Sequence, residues 1–150
     1  MDFKKYNNLV DLFFEKYEEQ NKDKIFLSTL KEPKKDFSWK DVKSIVEQLA
    51  SEISKIIQTG DRCLLISENR PEWMISDLSI MLAGGITVPA YTTYISRDYE
   101  YIINDCSPSI VIVSNDEQFN KVKTICENNP SIKKIFSFEK LKEIDVNKYF

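Results

Sequence analysis

Gly84 and Gly85 are the first residues whose type and spacing suggest chemistry, because they are two of only three glycines among 150 residues. Glycines bind phosphate when they precede a helix, where free backbone amides and the positive end of the helix dipole face the anion. This pair instead follows an apolar helical segment, at the negative end of the dipole. Its spacing matches neither the Gly-x-Gly-x-x-Gly pattern nor the Gly-x-x-x-x-Gly-Lys-Ser/Thr pattern of phosphate-binding loops. We therefore predict a structural joint, with Gly84 as a left-handed helix cap and Gly85 turning the chain into a strand.

Two polar segments could contact a ligand. Asn69, Arg70 and Glu72 follow a predicted strand, at the end where open α/β sheets bind ligands. The interpretation that we prefer is that Asn69 caps the next helix. Residues 91–94 ("YTTY") follow another strand and offer two aromatic rings and two hydroxyls, as binding loops do. Tyrosines that cover the edge of a core are the more ordinary explanation, and both interpretations stand at this stage.

The other reactive residue types form no recognisable catalytic set. There is no histidine in these 150 residues, so a Ser-His-Asp triad is excluded here. Cys63, Cys106 and Cys126 are odd in number and widely spaced; this favours inert packing in a reducing compartment over disulfides or a zinc site. Asp61 and Arg62 are predicted to be a solvated pair in a turn. The sequence thus predicts no catalytic residue and no metal ligand.

Composition indicates a globular protein with 42% hydrophobic and 30% charged residues. The net charge of −3 is not the basic footprint of a nucleic-acid-binding protein. Every apolar run is far shorter than the ~20 residues of a membrane span, so we expect a soluble cytoplasmic protein. Leu9, Phe13 and Tyr17 share one face of the first predicted helix. That face allows peripheral contact with a membrane, although packing on the protein body is the expectation.

Helices and strands are predicted to alternate along most of the chain, from Arg62 to Phe138. The short strands are continuously apolar, as strands covered on both faces are, and helices supply the crossovers that parallel strands need. This predicts an α/β fold, a layered and mostly parallel sheet flanked by helices. The predicted helices cover residues 8–20, 38–60, 71–83, 96–106 and 116–128, and the strands cover residues 24–30, 62–67, 86–90, 109–114 and 133–138.

Local signals set several boundaries of these elements. Ser38 with Asp41 resembles a capping box, and Gly60 is predicted to end the same helix. Pro71 suits the first turn of a helix, where the missing amide hydrogen would have no partner. Pro89 cannot donate to a strand ladder, so it is predicted to lie at the end of a strand or at an edge of the sheet.

Three segments resemble the amino-terminal region of the AMP-forming acyl-CoA synthetases, in the adenylate-forming superfamily. They are residues 37–42 ("FSWKDV"), 60–91 and 101–115. "FSWKDV" resembles the first core motif of the superfamily, and "IMLAGGITVPAY" resembles the second, in which a helix ends in Ala-Gly and a Val-Pro strand follows. "SENRPEW" and "YTTY" are most similar to the long-chain fatty-acid branch. In that family both motifs belong to the framework, which agrees with Gly84 and Gly85 as a joint.

The resemblance implies a two-step ligase reaction. A fatty-acid carboxylate attacks the α-phosphate of ATP to give an acyl-adenylate and pyrophosphate, with Mg²⁺ balancing charge, and the thiol of coenzyme A then displaces AMP. Fatty acid, ATP and coenzyme A are thus the implied partners of a full-length family enzyme. The phosphate loop ending in Lys, the Tyr-Gly-x-Thr-Glu segment, the hinge Asp and the catalytic Lys of the family have no counterpart in this sequence.

The missing motifs lead us to expect that residues 1–150 are one amino-terminal sub-domain of a larger AMP-binding domain. We expect it to act mainly as scaffold, with no catalytic residue and no cofactor demonstrable on its own. In some relatives the loop after the second motif borders the coenzyme A side of the cleft, which by position implies Thr92, Thr93 and Tyr94. Tyr94 departs from the small residues that relatives often have there.

Two other functions stay open from the sequence. One is a non-catalytic, truncated interaction or dimerisation module, which predicts a monodisperse oligomer such as a homodimer. A bare sub-domain is instead expected to expose an apolar patch and to aggregate. The other is a free-standing doubly wound binding domain. Its strand ends at residues 67–69 and 114–116 match a receiver domain poorly, and no glycine-rich turn precedes a helix as nucleotide binding would require.

Overall fold

The protein is described by a computed structural model over residues 6–30 and 32–142. The chain alternates helices and strands, and every helix predicted from the sequence is present. The helices are α1 (Leu9–Glu19), α2 (Trp39–Ser54), α3 (Pro71–Leu82), α4 (Ser96–Cys106) and α5 (Asp116–Asn128). The strands are β1 (Ile25–Ser28), β2 (Asp36–Ser38), β3 (Arg62–Ile66), β4 (Ile86–Ala90), β5 (Ile110–Val113) and β6 (Lys134–Ser137).

The four strands β3 to β6 form a parallel sheet in the order β4-β3-β5-β6. Helices flank this sheet, so the predicted α/β fold class is confirmed. From β3 the chain continues to one side of the sheet and from β5 to the other, so the strand order reverses between these two central strands. Pro89 lies in β4, at the edge of the sheet, as the sequence predicted.

The central strands are apolar throughout because each face of the sheet carries its own core. Leu64 and Ile66 of β3 pack with residues of α4 and α5. Cys63 and Leu65, the alternate residues of the same strand, pack on the opposite side with residues of α2 and α3. Strands buried on both faces lose the polar alternation of a surface strand, which explains the continuous apolar runs in the sequence.

An outer layer covers the far side of α2 and α3. It consists of α1 and the antiparallel pair β1–β2, and its core includes Phe13, Phe37 and Val46. The rings of Phe26 and Trp39 stack within it, with their centroids 3.9 Å apart. Phe13 of the predicted apolar face of α1 therefore packs on the protein body, as expected, whereas Leu9 of the same face is 59% exposed. β2 was not predicted, because three residues are too few to show a strand period.

The capping box at the start of α2 is confirmed. The Asp41 amide donates to Ser38 Oγ over 3.1 Å, and the Ser38 amide donates to Asp41 Oδ2 over 2.9 Å. The prediction that Gly60 ends this helix is wrong, since α2 ends at Ser54. The apolar period suggested a longer helix because Ile57 stays buried after the helix has ended.

In the part of the chain that is described, no helix has the length and apolar character to cross a membrane.

Gly84 and Gly85 form the joint between α3 and β4, as predicted. Gly84 has a φ of +85°. The Gly84 amide donates to the Met81 carbonyl (3.0 Å) and the Gly85 amide to the Ile80 carbonyl (2.9 Å), the two bonds of a Schellman cap. A Cβ on Gly85 would lie 2.9 Å from Ile57 Cδ1 and 3.0 Å from Ile80 Cγ2. The two glycines therefore have a structural role, because they let the backbone turn from α3 into β4.

Candidate functional site

A cleft of about 770 Å³ opens where the strand order reverses, at the carboxyl ends of β3 and β5. Open α/β sheets bind ligands at such a switch point. We call it the switch-point cleft. Its walls are the segment after β3, two residues that follow β5 and β6, and the β1–β2 hairpin: Glu68, Asn69, Arg70 and Pro71; Asn115 and Glu139; and Leu27, Ser28, Thr29, Leu30, Glu32 and Pro33.

Arg70 is held in the cleft wall by two carboxylates. Its Nε lies 2.9 Å from Glu72 Oε2 and its Nη1 lies 2.9 Å from Glu139 Oε1. The guanidinium also sits 5.6 Å from the centroid of the Phe138 ring. Burial acts against the Glu72 carboxylate, but the hydrogen bond from Arg70 prevails and keeps the pKa of Glu72 below its ordinary value. Arg70 therefore ties the start of α3 to the segment after β6, and its charge is already balanced.

The prediction that Asn69 caps α3 is wrong. The N-cap residue is Arg70, and no side chain makes a cap hydrogen bond there. Asn69 lies one residue too early to reach the first free amides of the helix, and its exposed side chain lines the cleft instead. Across the cleft, Asn115 Oδ1 accepts from the Gln118 amide and so caps α5. On the hairpin wall, the Ser28 hydroxyl donates to Asp36 Oδ1 over 2.5 Å.

The second candidate region is the loop of residues 91–94, which follows β4. Its backbone is held by side chains from both helices of the adjacent layer. The Tyr99 hydroxyl on α4 donates to the Tyr91 carbonyl over 2.7 Å, and Lys121 Nζ on α5 donates to the Thr92 carbonyl over 2.7 Å. Burial raises the pKa of Tyr99 to about 12, so its hydroxyl keeps the proton that it donates. Two long side chains thus hold the backbone of this loop.

The side chains of this loop divide between core and solvent. Tyr94 packs against the α4–α5 core, edge to face with Tyr99 at a centroid distance of 6.0 Å. The Tyr91 ring is 72% exposed, and Thr93 is exposed beside it. Tyr94 therefore covers the edge of a core, one of the two alternatives that the sequence left open. The coenzyme A-side role of Thr92, Thr93 and Tyr94 stays a prediction.

Tyr99, Gln118 and Lys121 were not predicted as site residues. Tyr99 is fully buried and Gln118 is 2% exposed. The available signal was a glutamine beside the apolar residues of α5, because a buried amide needs bonding partners. Proximity to residues 91–94 could not be anticipated, since α5 lies more than twenty residues further along the chain.

Asp61 and Arg62 are not the solvated turn pair that the sequence predicted. Asp61 Oδ2 accepts from Ser109 Oγ over 2.7 Å and from Lys133 Nζ over 3.3 Å. Arg62 Nε donates to the Cys106 carbonyl over 2.8 Å. The two side chains therefore join the amino ends of β3, β5 and β6. These partners are 44 to 72 residues away in sequence, so no local pattern could indicate them.

Asp61 predicts a pH dependence of stability. Hydrogen bonds from the Ser109 hydroxyl and the Gln58 amide lower the pKa of Asp61. The ionised carboxylate thus stabilises the fold above its ordinary pKa of about 4, and this stabilisation is lost as pH falls through the lower folded value. We expect Asp61→Asn to reduce the free energy of unfolding at pH 7 by about 1–3 kcal/mol.

The measurement for Asp61 is urea unfolding at neutral and at acid pH. The difference between wild type and Asp61→Asn should shrink as pH falls below about 4. Asp105→Asn, on the exposed surface of α4, is the matched control. Equal stability of the two variants at neutral pH would contradict this role of Asp61.

The three cysteines agree with the predicted packing role. Burial raises the pKa of Cys63 to about 11 and of Cys126 to about 12, and it also raises the pKa of Cys106. Thiols that keep their proton are poor nucleophiles and poor metal ligands. Within residues 6–30 and 32–142, no group of three or more Cys, Asp or Glu side chains could hold a metal ion.

A model of the AMP-binding enzyme family matches residues 14–148. The chain is 32% identical over 116 residues to long-chain-fatty-acid–CoA ligase ACSBG2 of Gallus gallus, a match that covers 76% of this chain and 14% of that protein. It is 28% identical over 83 residues to long-chain-fatty-acid–CoA ligase FadD15 of Mycobacterium tuberculosis, covering 55% and 14%. The matches thus span about one seventh of the length of these relatives.

Among solved structures, the fold is similar to that of the anthranilate CoA ligase AuaEII, determined in complex with anthranoyl-AMP. The TM-score is 0.79 at 24% sequence identity, and the match covers 88% of this chain and 25% of that one. At this identity the likeness extends to the fold alone.

Proposed function

The chain belongs to the AMP-binding enzyme family, and from this premise we propose that it is the amino-terminal sub-domain of an AMP-forming fatty acyl-CoA synthetase. The reaction joins a fatty acid to coenzyme A and converts ATP to AMP and pyrophosphate. The observation that carries the proposal is the continuous family match over residues 14–148. Long-chain fatty-acid ligases among the relatives support the choice of substrate.

In this proposal residues 1–150 form one sub-domain that acts mainly as scaffold. The Schellman joint at Gly84 and Gly85 supports this role, because a rigid connection between α3 and β4 fixes where the following loop begins. Thr92, Thr93 and Tyr94 are proposed to border coenzyme A. Magnesium would balance the charge of the ATP phosphates in the complete enzyme, and no residue described here is assigned to it. A cytoplasmic location, peripheral membrane contact and a homodimer stay predictions.

The test is ATP–pyrophosphate exchange in the presence of fatty acids. We expect the purified 150-residue chain to catalyse no exchange, because its described residues contain no catalytic set. Reading the coding DNA past Phe150 is expected to reveal a Thr/Ser/Gly-rich loop ending in Lys and a Tyr-Gly-x-Thr-Glu segment. The protein encoded by that complete frame is expected to be active. Exchange by the 150-residue chain itself, or a longer frame without those motifs, would contradict the proposal.

A non-catalytic interaction module is the second candidate. Exposed apolar side chains lie along and directly after the edge strand β4, namely Ile86, Tyr91 and Ile95. A second copy of the chain could cover them in an interaction module, and the missing part of a larger enzyme could cover them equally, so the oligomeric state separates the two functions. Such a module predicts a monodisperse oligomer of the 150-residue chain in light scattering. An aggregating chain would favour the ligase sub-domain instead.

A further inference from the structure

Two consecutive carbonyl groups of the 91–94 loop each accept a hydrogen bond from a different helix. Tyr99 reaches the Tyr91 carbonyl from α4, and Lys121 reaches the Thr92 carbonyl from α5, both over 2.7 Å. One bond would leave the next peptide plane free to rotate. Two bonds on neighbouring carbonyls fix the dihedral angles of the residue between them, so the loop is oriented before any ligand arrives.

Gln118 connects the two donors. Its Oε1 lies 3.2 Å from the Tyr99 hydroxyl and 3.4 Å from Lys121 Nζ. An ammonium group can only donate, so the amide must turn its oxygen and not its nitrogen toward Lys121. The Tyr99 hydroxyl carries a single proton, and its shorter contact is with the Tyr91 carbonyl. Gln118 Oε1 therefore helps to hold Lys121, and the Tyr99 hydroxyl donates chiefly to the Tyr91 carbonyl, with Gln118 Oε1 as its second and longer acceptor.

A buried amide among apolar side chains lowers stability unless its polar atoms are bonded. Gln118 is nearly fully buried on α5, next to Phe119. An apolar residue at this position could not hold the Lys121 ammonium in place. Lys121 also lies 3.1 Å from Glu117 Oε1, which leaves its charge balanced. The polar atoms of Tyr99, Gln118 and Lys121 thus have partners in each other, in Glu117 and in the two loop carbonyls.

We propose that Tyr99, Gln118 and Lys121 are positioning residues that hold the 91–94 loop in the orientation in which it faces the thiol substrate. The inference rests on the proposed function, which assigns this loop to the coenzyme A side. The cluster draws the carbonyls of Tyr91 and Thr92 toward the α4–α5 layer and leaves Thr93 exposed. Pre-orienting a loop lowers the ordering that binding would otherwise require.

The variants are Tyr99→Phe, which removes only a hydroxyl, and Lys121→Met, which removes the ammonium group and keeps an unbranched side chain of similar length. In the complete enzyme each is expected to raise KM for coenzyme A about tenfold, the effect of losing one hydrogen bond. ATP–pyrophosphate exchange does not involve coenzyme A, so its rate should change by no more than about twofold on the same scale. Lys121→Arg keeps a donor and should restore most of the affinity.

Matched controls are Tyr101→Phe on α4 and Lys123→Met on α5. Each stands two positions after its test residue and so on a different face of the helix; Tyr101 is 71% exposed. Both controls should match wild type in KM for coenzyme A. An unchanged KM in Tyr99→Phe and Lys121→Met would overturn the proposal. So would an equal loss of exchange activity, because that pattern indicates general damage to the fold.

Backbone amide exchange on the 150-residue chain separates this inference from the proposed function. The Tyr94 amide, which donates to the Tyr91 carbonyl over 3.2 Å, should exchange about fivefold to tenfold faster in Tyr99→Phe and Lys121→Met than in the controls. Unchanged exchange would overturn the positioning role whatever the enzyme does. Faster exchange in a protein whose complete frame forms no acyl-adenylate would uphold the positioning role and refute the proposed function instead.

Discussion

Replacing Leu65 by alanine is expected to lower the free energy of unfolding by about 3 kcal/mol. Leu65 lies in β3, between β4 and β5, and its side chain is 0% exposed in the core beneath α2 and α3. The truncation removes buried apolar atoms and leaves a cavity that the surrounding close-packed side chains fill only in part. Since whole domains are stable by about 5–15 kcal/mol, this is a large share of the total.

Leu30→Ala makes the same chemical change at a side chain that is 99% exposed, and it should alter stability by no more than about 0.5 kcal/mol. Urea unfolding followed by circular dichroism measures both variants under one set of conditions. Similar losses in the two variants would show that the sheet is not the centre of the core.

The second large effect is expected for Gly85→Ala, at about 3 kcal/mol. The added methyl would lie 2.9 Å from Ile57 Cδ1 and 3.2 Å from the Ile80 carbonyl oxygen. The isoleucine side chain can shift, but that carbonyl is the acceptor of the Gly85 amide in the Schellman cap. Relief of the clash therefore requires movement of the joint between α3 and β4.

Gly60→Ala is the control that separates a steric clash from backbone strain. Gly60 has a φ of +90°, but no atom lies within 4 Å of an added Cβ. The expected loss in the free energy of unfolding is therefore about 1 kcal/mol, which is the cost of placing alanine in a left-handed backbone conformation. Thermal unfolding of both variants should rank Gly85→Ala clearly below Gly60→Ala. The reverse order would mean that the Gly85 joint tolerates a side chain.

The layered sheet could be predicted because its signals are local. Pro71 indicates the start of α3, and Ser38 with Asp41 indicates the start of α2. The apolar runs of β3 and β5 indicate strands that are buried on both faces of the sheet. Each of these signals acts within a few residues along the chain, where the residue type decides the backbone conformation. The framework glycines at residues 84 and 85 were predictable for the same reason.

Features that depend on distant residues could not be predicted. Ile57 continues the apolar period of α2 although the helix has ended, because a buried loop residue and a helical one look alike in sequence. The sequence predicts a solvated Asp61 because its partners Ser109 and Lys133 lie far along the chain, each one residue before another strand of the sheet. The prediction of the candidate site is incomplete for the same reason. The sequence indicates the loop at residues 91–94, but Tyr99 and Lys121 contact that loop only in the folded chain.

Pro89 has a consequence for how the exposed edge of the sheet meets other chains. The Ile86 amide donates to the Asp61 carbonyl over 2.8 Å, so the backbone groups of alternate residues point inward and those of Thr87 and Pro89 point outward. Proline has no amide hydrogen, which leaves Thr87 as the sole outward donor within β4. A foreign strand can form no regular ladder against one donor, so this edge is guarded against amyloid-like growth while its side chains stay available for specific contacts.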